Sequence, residues 1–194
     1  MAAVQKAAGS SENELPDVFE KHIERERRKK EMRRLCLDLA VTAAAVFVLF
    51  RIVAGIAVIR GNSMEPNLTD GSAVLFYRLE KTYRRNDIVI FKTPGTKELL
   101  VKRIAAVAGD RVDIDNRTGT FTVNGVSREN AIINGKTYKR DSGVIFPLTV
   151  PGGCVFVLGD NREIALDSRS FGAISVDRLV GKVVFEVRAL KGGA

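Results

Sequence analysis

The chain has 194 residues, a formal net charge of +8 from 31 Lys+Arg against 23 Asp+Glu, and a single histidine, His22. That length fits one main domain with a tail and an anchor. The basic residues are scattered with few aromatics among them, which speaks against nucleic-acid binding, and the well-separated Cys36 and Cys154 offer no disulfide framework.

Residues 1–18 are rich in Ala, Ser and Glu without apolar periodicity, and a disordered tail is expected there. Residues 19–34 mix both charge signs, with eight Lys or Arg among them (Lys21 to Arg34), and read as a solvated, charged cytoplasmic helix. An apolar run from Leu35 to about Ile56 has the length of a transmembrane helix, with Asp38 and Arg51 near its two interfaces. It starts late and lacks a small-residue cleavage site, so an anchor is expected rather than a cleaved signal peptide. The basic cluster before it predicts a single-pass protein of the cell membrane, N-terminus cytoplasmic and residues 57–194 extracytoplasmic. His22 then lies across the membrane from the main domain, which excludes a Ser-His-Asp triad and a histidine-ligated metal there.

From Ile59 onward short strands alternate with turns. Strands are expected at Ala73–Tyr77, Asp87–Phe91, Leu99–Val107, Arg111–Asp115, Thr120–Gly125, Val155–Leu158 and Leu179–Val187. Asn116-Arg117-Thr118-Gly119 reads as a hairpin turn between two of them. The fold class is mainly β, a barrel or coiled sheet, with one N-terminal transmembrane helix.

Three clusters carry chemistry. Gly61-Asn62-Ser63 is a turn in which the glycine allows close backbone approach and the Ser63 amide can face a developing oxyanion. Lys102 sits among Leu99, Leu100, Val101 and Ile104 in a predicted strand. Facing solvent, it is an ordinary edge residue. Facing inward, its ammonium is disfavoured and the neutral amine can take a proton from a serine hydroxyl. Arg103 should point to the opposite strand face. The third cluster, Gly159 to Gly172, is dense in charge, and Asp160, Arg162, Asp167 and Arg169 are expected to form a network bracing the site.

Together these blocks resemble type I signal peptidases, membrane-anchored Ser-Lys proteases that remove signal peptides. Gly61 to Leu68 is similar to the family's nucleophile block, Arg85 to Phe91 to a structural strand and Val101-Lys102-Arg103-Ile104 with Gly109-Asp110 to the general-base block. Val150-Pro151-Gly152-Gly153, Val157 to Arg162, Asp167-Ser168-Arg169 and Gly172 are similar to the last block. The short stretch between Gly109 and Pro151 resembles the compact Gram-positive members. The resemblance implies Ser63 as nucleophile, Lys102 as base and no metal or cofactor. It implies Gly61, Asp160, Arg162, Asp167, Ser168 and Arg169 around the oxyanion or in support. Exported preproteins would be the substrates, and the lipid bilayer the other partner. Ile59, Arg60 and Asn62 with Leu99, Leu100 and Val101 would form the rails on which a substrate strand docks. Two positions depart from many members. Gly61 carries no side-chain oxyanion donor, and Ala165 stands where a serine often hydrogen-bonds the lysine. Orientation of Lys102 would then fall to Ser168 or a backbone carbonyl, with reduced activity. Ala165 also keeps open a non-catalytic assembly factor, or a peptidase dedicated to a few substrates such as pilin-like proteins.

Overall fold

The computed structural model describes residues 14–187 apart from residues 97, 129–132 and 142. The expected tail before residue 14 lies outside the described residues. The chain divides into two units, Met1–Leu49 and Phe50–Ala194.

In the first unit, helix α1 runs over Glu14–Val48 without a break. The charged segment and the apolar segment are therefore one helix, and residues 14–18, expected in the tail, belong to it. Arg27 donates to Glu31 at 3.2 Å and Lys29 to Glu26 at 2.8 Å, pairs spaced to support a solvated helix. The helix and the turn after it are long and apolar enough to cross a membrane by length and composition.

The expected span to Ile56 overruns. After α1 comes one π-helical turn, Leu49–Val53, and Ala54–Val58 is strand β1. The reason is tertiary pairing. Every residue of β1 has a partner in β2 (Ala73–Tyr77), from Ala54 opposite Tyr77 to Val58 opposite Ala73. The β-branched Ile56 and Val58 suit that pleated surface.

The second unit holds two antiparallel sheets. The larger has the order β1-β2-β11-β3-β4-β9-β10, the smaller β7-β6-β5-β8. Strands β3 (Ile88–Lys92), β4 (Leu99–Val107) and β9 (Cys154–Leu158) form the middle of the larger sheet with β11 (Leu179–Val187). The two-residue β10 (Ile174–Ser175) closes one edge, and a short helix α2 (Ser168–Phe171) precedes it. In the smaller sheet the expected hairpin is β5 (Arg111–Asp115) with β6 (Thr120–Val123). The short β7 (Val126–Ser127) and β8 (Leu148–Thr149) flank it.

Strand β9 is buried on both faces, which is why it reads as an unbroken apolar run. Phe156 and Leu158 pack with Val112, Ile114 and Phe121 of the hairpin, while Val155 and Val157 pack with Val89, Phe91 and Ile104. A third core, Ile59, Met64, Leu68, Val74, Phe76 and Ile90, lies beneath the loop after β1.

Strand β1 lies four places from β4 in this order. In a flat sheet that separation is roughly 19 Å. The residues following β1 nevertheless touch β4, so the sheet must curl, as its bulges at Val183/Phe185 and Leu179/Gly181 allow.

Candidate active site

The loop from Ile59 to Ser72 is closed on itself. The Ile59 amide donates to Ser72 O at 2.8 Å and Gly71 returns a bond to Ile59 O at 3.0 Å. Asp70 accepts from the Gly61 amide at 2.7 Å. Gly61 has φ +80, a left-handed conformation that would strain a side-chain-bearing residue. The turn therefore favours glycine at this position. Met64 and Leu68 are buried in the core below and pin the turn. Ser63 rides between these anchors, half-buried. Its carbonyl accepts from the Asn161 amide at 3.1 Å, which ties the turn to the third cluster. Among the described residues its own amide has no acceptor.

Lys102 faces inward. The period of two in β4 puts it on the face of the buried Ile104 and Ala106, and it is 2 % exposed. Its Nζ lies 2.7 Å from Ser63 Oγ and donates to the Val101 carbonyl at 2.9 Å. Burial lowers its pKa to about 8, against the opposing pull of Asp167 and Asp160. An amine that loses its proton near pH 8 and already touches a serine hydroxyl is positioned to activate it.

Ser168, one of the two expected orienters, makes no hydrogen bond to the amine. Its hydroxyl accepts from the Val157 amide at 2.9 Å and fixes α2 to β9. The Val101 carbonyl takes the orienting role. Ala165 is 1 % exposed and packs with the Lys102 stem around Gly159. A Cβ on Gly159 would come within 2.3 Å of Ala165 Cβ and 2.6 Å of the Ser63 carbonyl, so this contact also needs glycine.

The third cluster holds two ion pairs and a buried arginine, linked through Gly159 and by the bond from Arg169 to the Arg162 carbonyl at 2.6 Å. Asp160 is paired with Arg103, Nε to Oδ1 at 2.8 Å and Nη2 to Oδ2 at 2.7 Å, and accepts from Asn67 at 2.9 Å. Asp167 pairs with Arg169 through two bonds at 2.9 Å, accepts the Gly159 amide at 3.1 Å and caps α2. Arg162 meets no carboxylate among the described residues; it donates to Gly159 O at 2.9 Å and Thr137 Oγ1 at 2.6 Å. The sequence reading missed Arg103 as the partner of Asp160. The period of two did signal it, since Arg103 must point away from Lys102 and needs its own counter-charge. The reading also missed Arg140, which donates to the carbonyls of Glu163 at 2.9 Å and Ala165 at 3.2 Å.

A cleft of about 150 Å³ opens at Ser63 and Lys102, lined by Ile59, Arg60, Leu99, Leu100 and Val101 among others. Five of the six expected rail residues thus face it; Asn62 is exposed in the turn, and its carbonyl accepts the Glu65 amide. Among the described residues, two strand edges that border the cleft have no partner strand. Strand β1 is the end of its sheet, and β9 joins β4 only from Arg103 onward, leaving Leu99–Lys102 open on that side. Among the described residues no group of His, Cys, Asp and Glu is arranged to hold a metal.

The signal peptidase family, peptidase S26, matches residues 32–188. Thylakoidal processing peptidase 1 of the Arabidopsis thaliana chloroplast is 35% identical over 162 residues, 75% of this chain and 46% of that protein. The chain thus spans less than half of that plant relative. Signal peptidase IB of Staphylococcus aureus is 32% identical over 174 residues, 81% of this chain and 90% of that protein. A crystal structure of a signal peptidase I from Enterococcus faecalis V583 overlaps 54% of this chain and 98% of that one, at 29% identity and a TM-score of 0.44. The chain belongs to the signal peptidase family, the S26 serine peptidases that remove signal peptides from preproteins.

Proposed function

We propose that this chain cleaves signal peptides from exported preproteins by a Ser63–Lys102 dyad at the outer face of the cell membrane. The observation that carries the reading is the 2.7 Å contact between Lys102 Nζ and Ser63 Oγ with the lysine buried. Neutral Lys102 takes the hydroxyl proton as Ser63 Oγ attacks the scissile carbonyl. The Ser63 amide, without an acceptor among the described residues, receives the oxyanion. The resulting ammonium of Lys102 gives its proton to the leaving amine, and the acyl group stays on Ser63. Lys102 then deprotonates a water that hydrolyses the ester and restores the serine. The Val101 carbonyl holds the amine in place through these steps.

The substrate enters as an extended strand along the open edges of β1 and of Leu99–Val101, so main-chain bonds supply affinity. The cleft is small, which fits small side chains before the cut, the A-x-A pattern of secretory cleavage sites. Helix α1 anchors the protein in the bilayer, with the basic segment cytoplasmic and the β unit outside. The preserved Ser-Lys contact favours catalysis over a non-catalytic assembly role despite Ala165.

The test is cleavage of an Ala-x-Ala peptide by the full chain in detergent, from about pH 6 to about pH 11. Because the working base is the unprotonated amine, kcat/KM should rise with pH and level off above about 8. Ser63→Ala and Lys102→Ala should each lose roughly 10³-fold or more. Cleavage that persists in both variants would end the dyad reading.

A further inference from the structure

A second cavity of about 90 Å³ lies between the larger sheet and the hairpin. Its floor is Phe121 and Leu158, and four arginines rim it: Arg85, Arg103, Arg128 and Arg162. Two of these have counter-charges. Arg85 is paired with Asp110, and Arg103 with Asp160. The other two form no ion pair among the described residues, although Asp167 and Asp160 act on Arg162 at a distance.

Arg162 is the unusual member. It is 4 % exposed, yet its hydrogen bonds go only to neutral acceptors, the Gly159 carbonyl and the Thr137 hydroxyl. The nearby carboxylates are already taken, Asp160 by Arg103 and Asn67, Asp167 by Arg169. The ring of Phe121, 5.7 Å from the guanidinium carbon, offers only partial compensation. Arg162 Nη2 has no acceptor among the described residues. Buried charges are ordinarily paired, because an unpaired one forfeits its hydration. Arg128, which lines the same cavity, is exposed, and its side chain has no partner among the described residues. Among the described residues the rim carries four guanidiniums, two of them in ion pairs with aspartates.

We propose that this cavity binds a small phosphate-type oxyanion between Arg162 and Arg128. Guanidinium forks match the tetrahedral, multiply charged oxygens of that group, and the space admits a group of a few heavy atoms. The site would take a free phosphate or the phosphate of a lipid headgroup, since both present the same oxygens. It is separate from the Ser63–Lys102 cleft, and Arg128 belongs to neither the dyad nor the braces of the catalytic loop.

The test uses the full chain in neutral detergent at constant ionic strength, so that screening is held fixed. Sodium phosphate is exchanged for sodium chloride while heat of binding and Tm are followed. Saturable binding in the millimolar range is expected, with a rise in Tm that sodium chloride does not reproduce. Arg128→Ala should bind phosphate about tenfold or more weakly and cleave peptide as well as the parent when phosphate is absent. A parallel arm compares vesicles of phosphatidylcholine alone with vesicles containing phosphatidic acid. A Tm response to phosphatidic acid that depends on Arg128, without one to free phosphate, would assign the headgroup as ligand. A response to free phosphate that depends on Arg128 would assign the soluble ion. No response to either, or equal responses in the parent and Arg128→Ala, would overturn the proposal.

Discussion

Lys102 and Arg169 are both cations with almost no exposure, 2% and 1%, and the fold treats them in opposite ways. Arg169 has a full complement of partners: two bonds to Asp167 and one to the Arg162 carbonyl at 2.6 Å. Its charge is compensated where it sits. Lys102 touches only a hydroxyl and one carbonyl, with Asp160 and Asp167 acting on it at a distance. A guanidinium cannot shed its proton within the working range of a protein, and Arg169 is buried against a carboxylate that balances its charge. An amine can, so burying it without one produces a base. The first arrangement builds the scaffold and the second builds the chemistry.

The sharpest way to break the contrast is Lys102→Met. Peptide cleavage should fall to the level of Lys102→Ala while folding improves. The sign follows from the proton balance: the folded-state pKa is about 8, below the ordinary 10.5. Between those values the unfolded chain binds more protons, so parent stability rises with pH across that window. Below about pH 8 the burial cost is present in full, and the variant escapes it. It should be more stable at neutral pH on the order of 2–3 kcal/mol, the gap closing above about pH 10.5. Tm measured for both proteins against pH checks this, and a Lys102→Met protein less stable at pH 7 would contradict it.

The mirror experiment is Asp167→Asn, which leaves Arg169 buried without its charge partner and should destabilise by about 3–5 kcal/mol. A large drop in Tm is expected, with cleavage lost as the Gly159 loop loosens. Equal stability of variant and parent would mean that the neutral acceptors suffice. Ala165→Ser offers Lys102 a further hydrogen-bond partner beside its stem. One neutral bond contributes about 1 kcal/mol, so kcat should rise by less than about tenfold. At the small end, Arg117 and Asp115 form a 3.7 Å surface pair with the arginine side chain 91% exposed. Arg117→Gln should change stability by less than about 0.5 kcal/mol.

Local pattern made much of this molecule legible. Strands β2, β4, β5 and β11 occupy the expected residues, because alternation and turn residues are local signals. Strand β1 was hidden because Ile52 to Ile59 continues the apolar character of the helix beyond Arg51. A helix in lipid and a half-buried strand both accept Ile, Val and Ala, and only the partner strand β2 decides between them. The two-residue strands β7, β8 and β10 were equally illegible, since nothing so short has a period. In the site, the chemistry of Ser63 and Lys102 could be anticipated from residue type and surroundings. The allocation of counter-charges could not: Asp160 to Arg103, Asp167 to Arg169, none to Arg162.

By itself, the sequence determined the residue types and their local habits: a charged helix running into an apolar one, a β unit, a glycine turn before Ser63 and a lysine in an apolar strand. The tertiary structure alone decided which way Lys102 faces, that a carbonyl rather than Ser168 orients it, and which charge meets which. Those outcomes depend on the curl that brings β1 to β4 across roughly 19 Å of flat sheet. No local propensity encodes a contact between residues 39 apart in the chain.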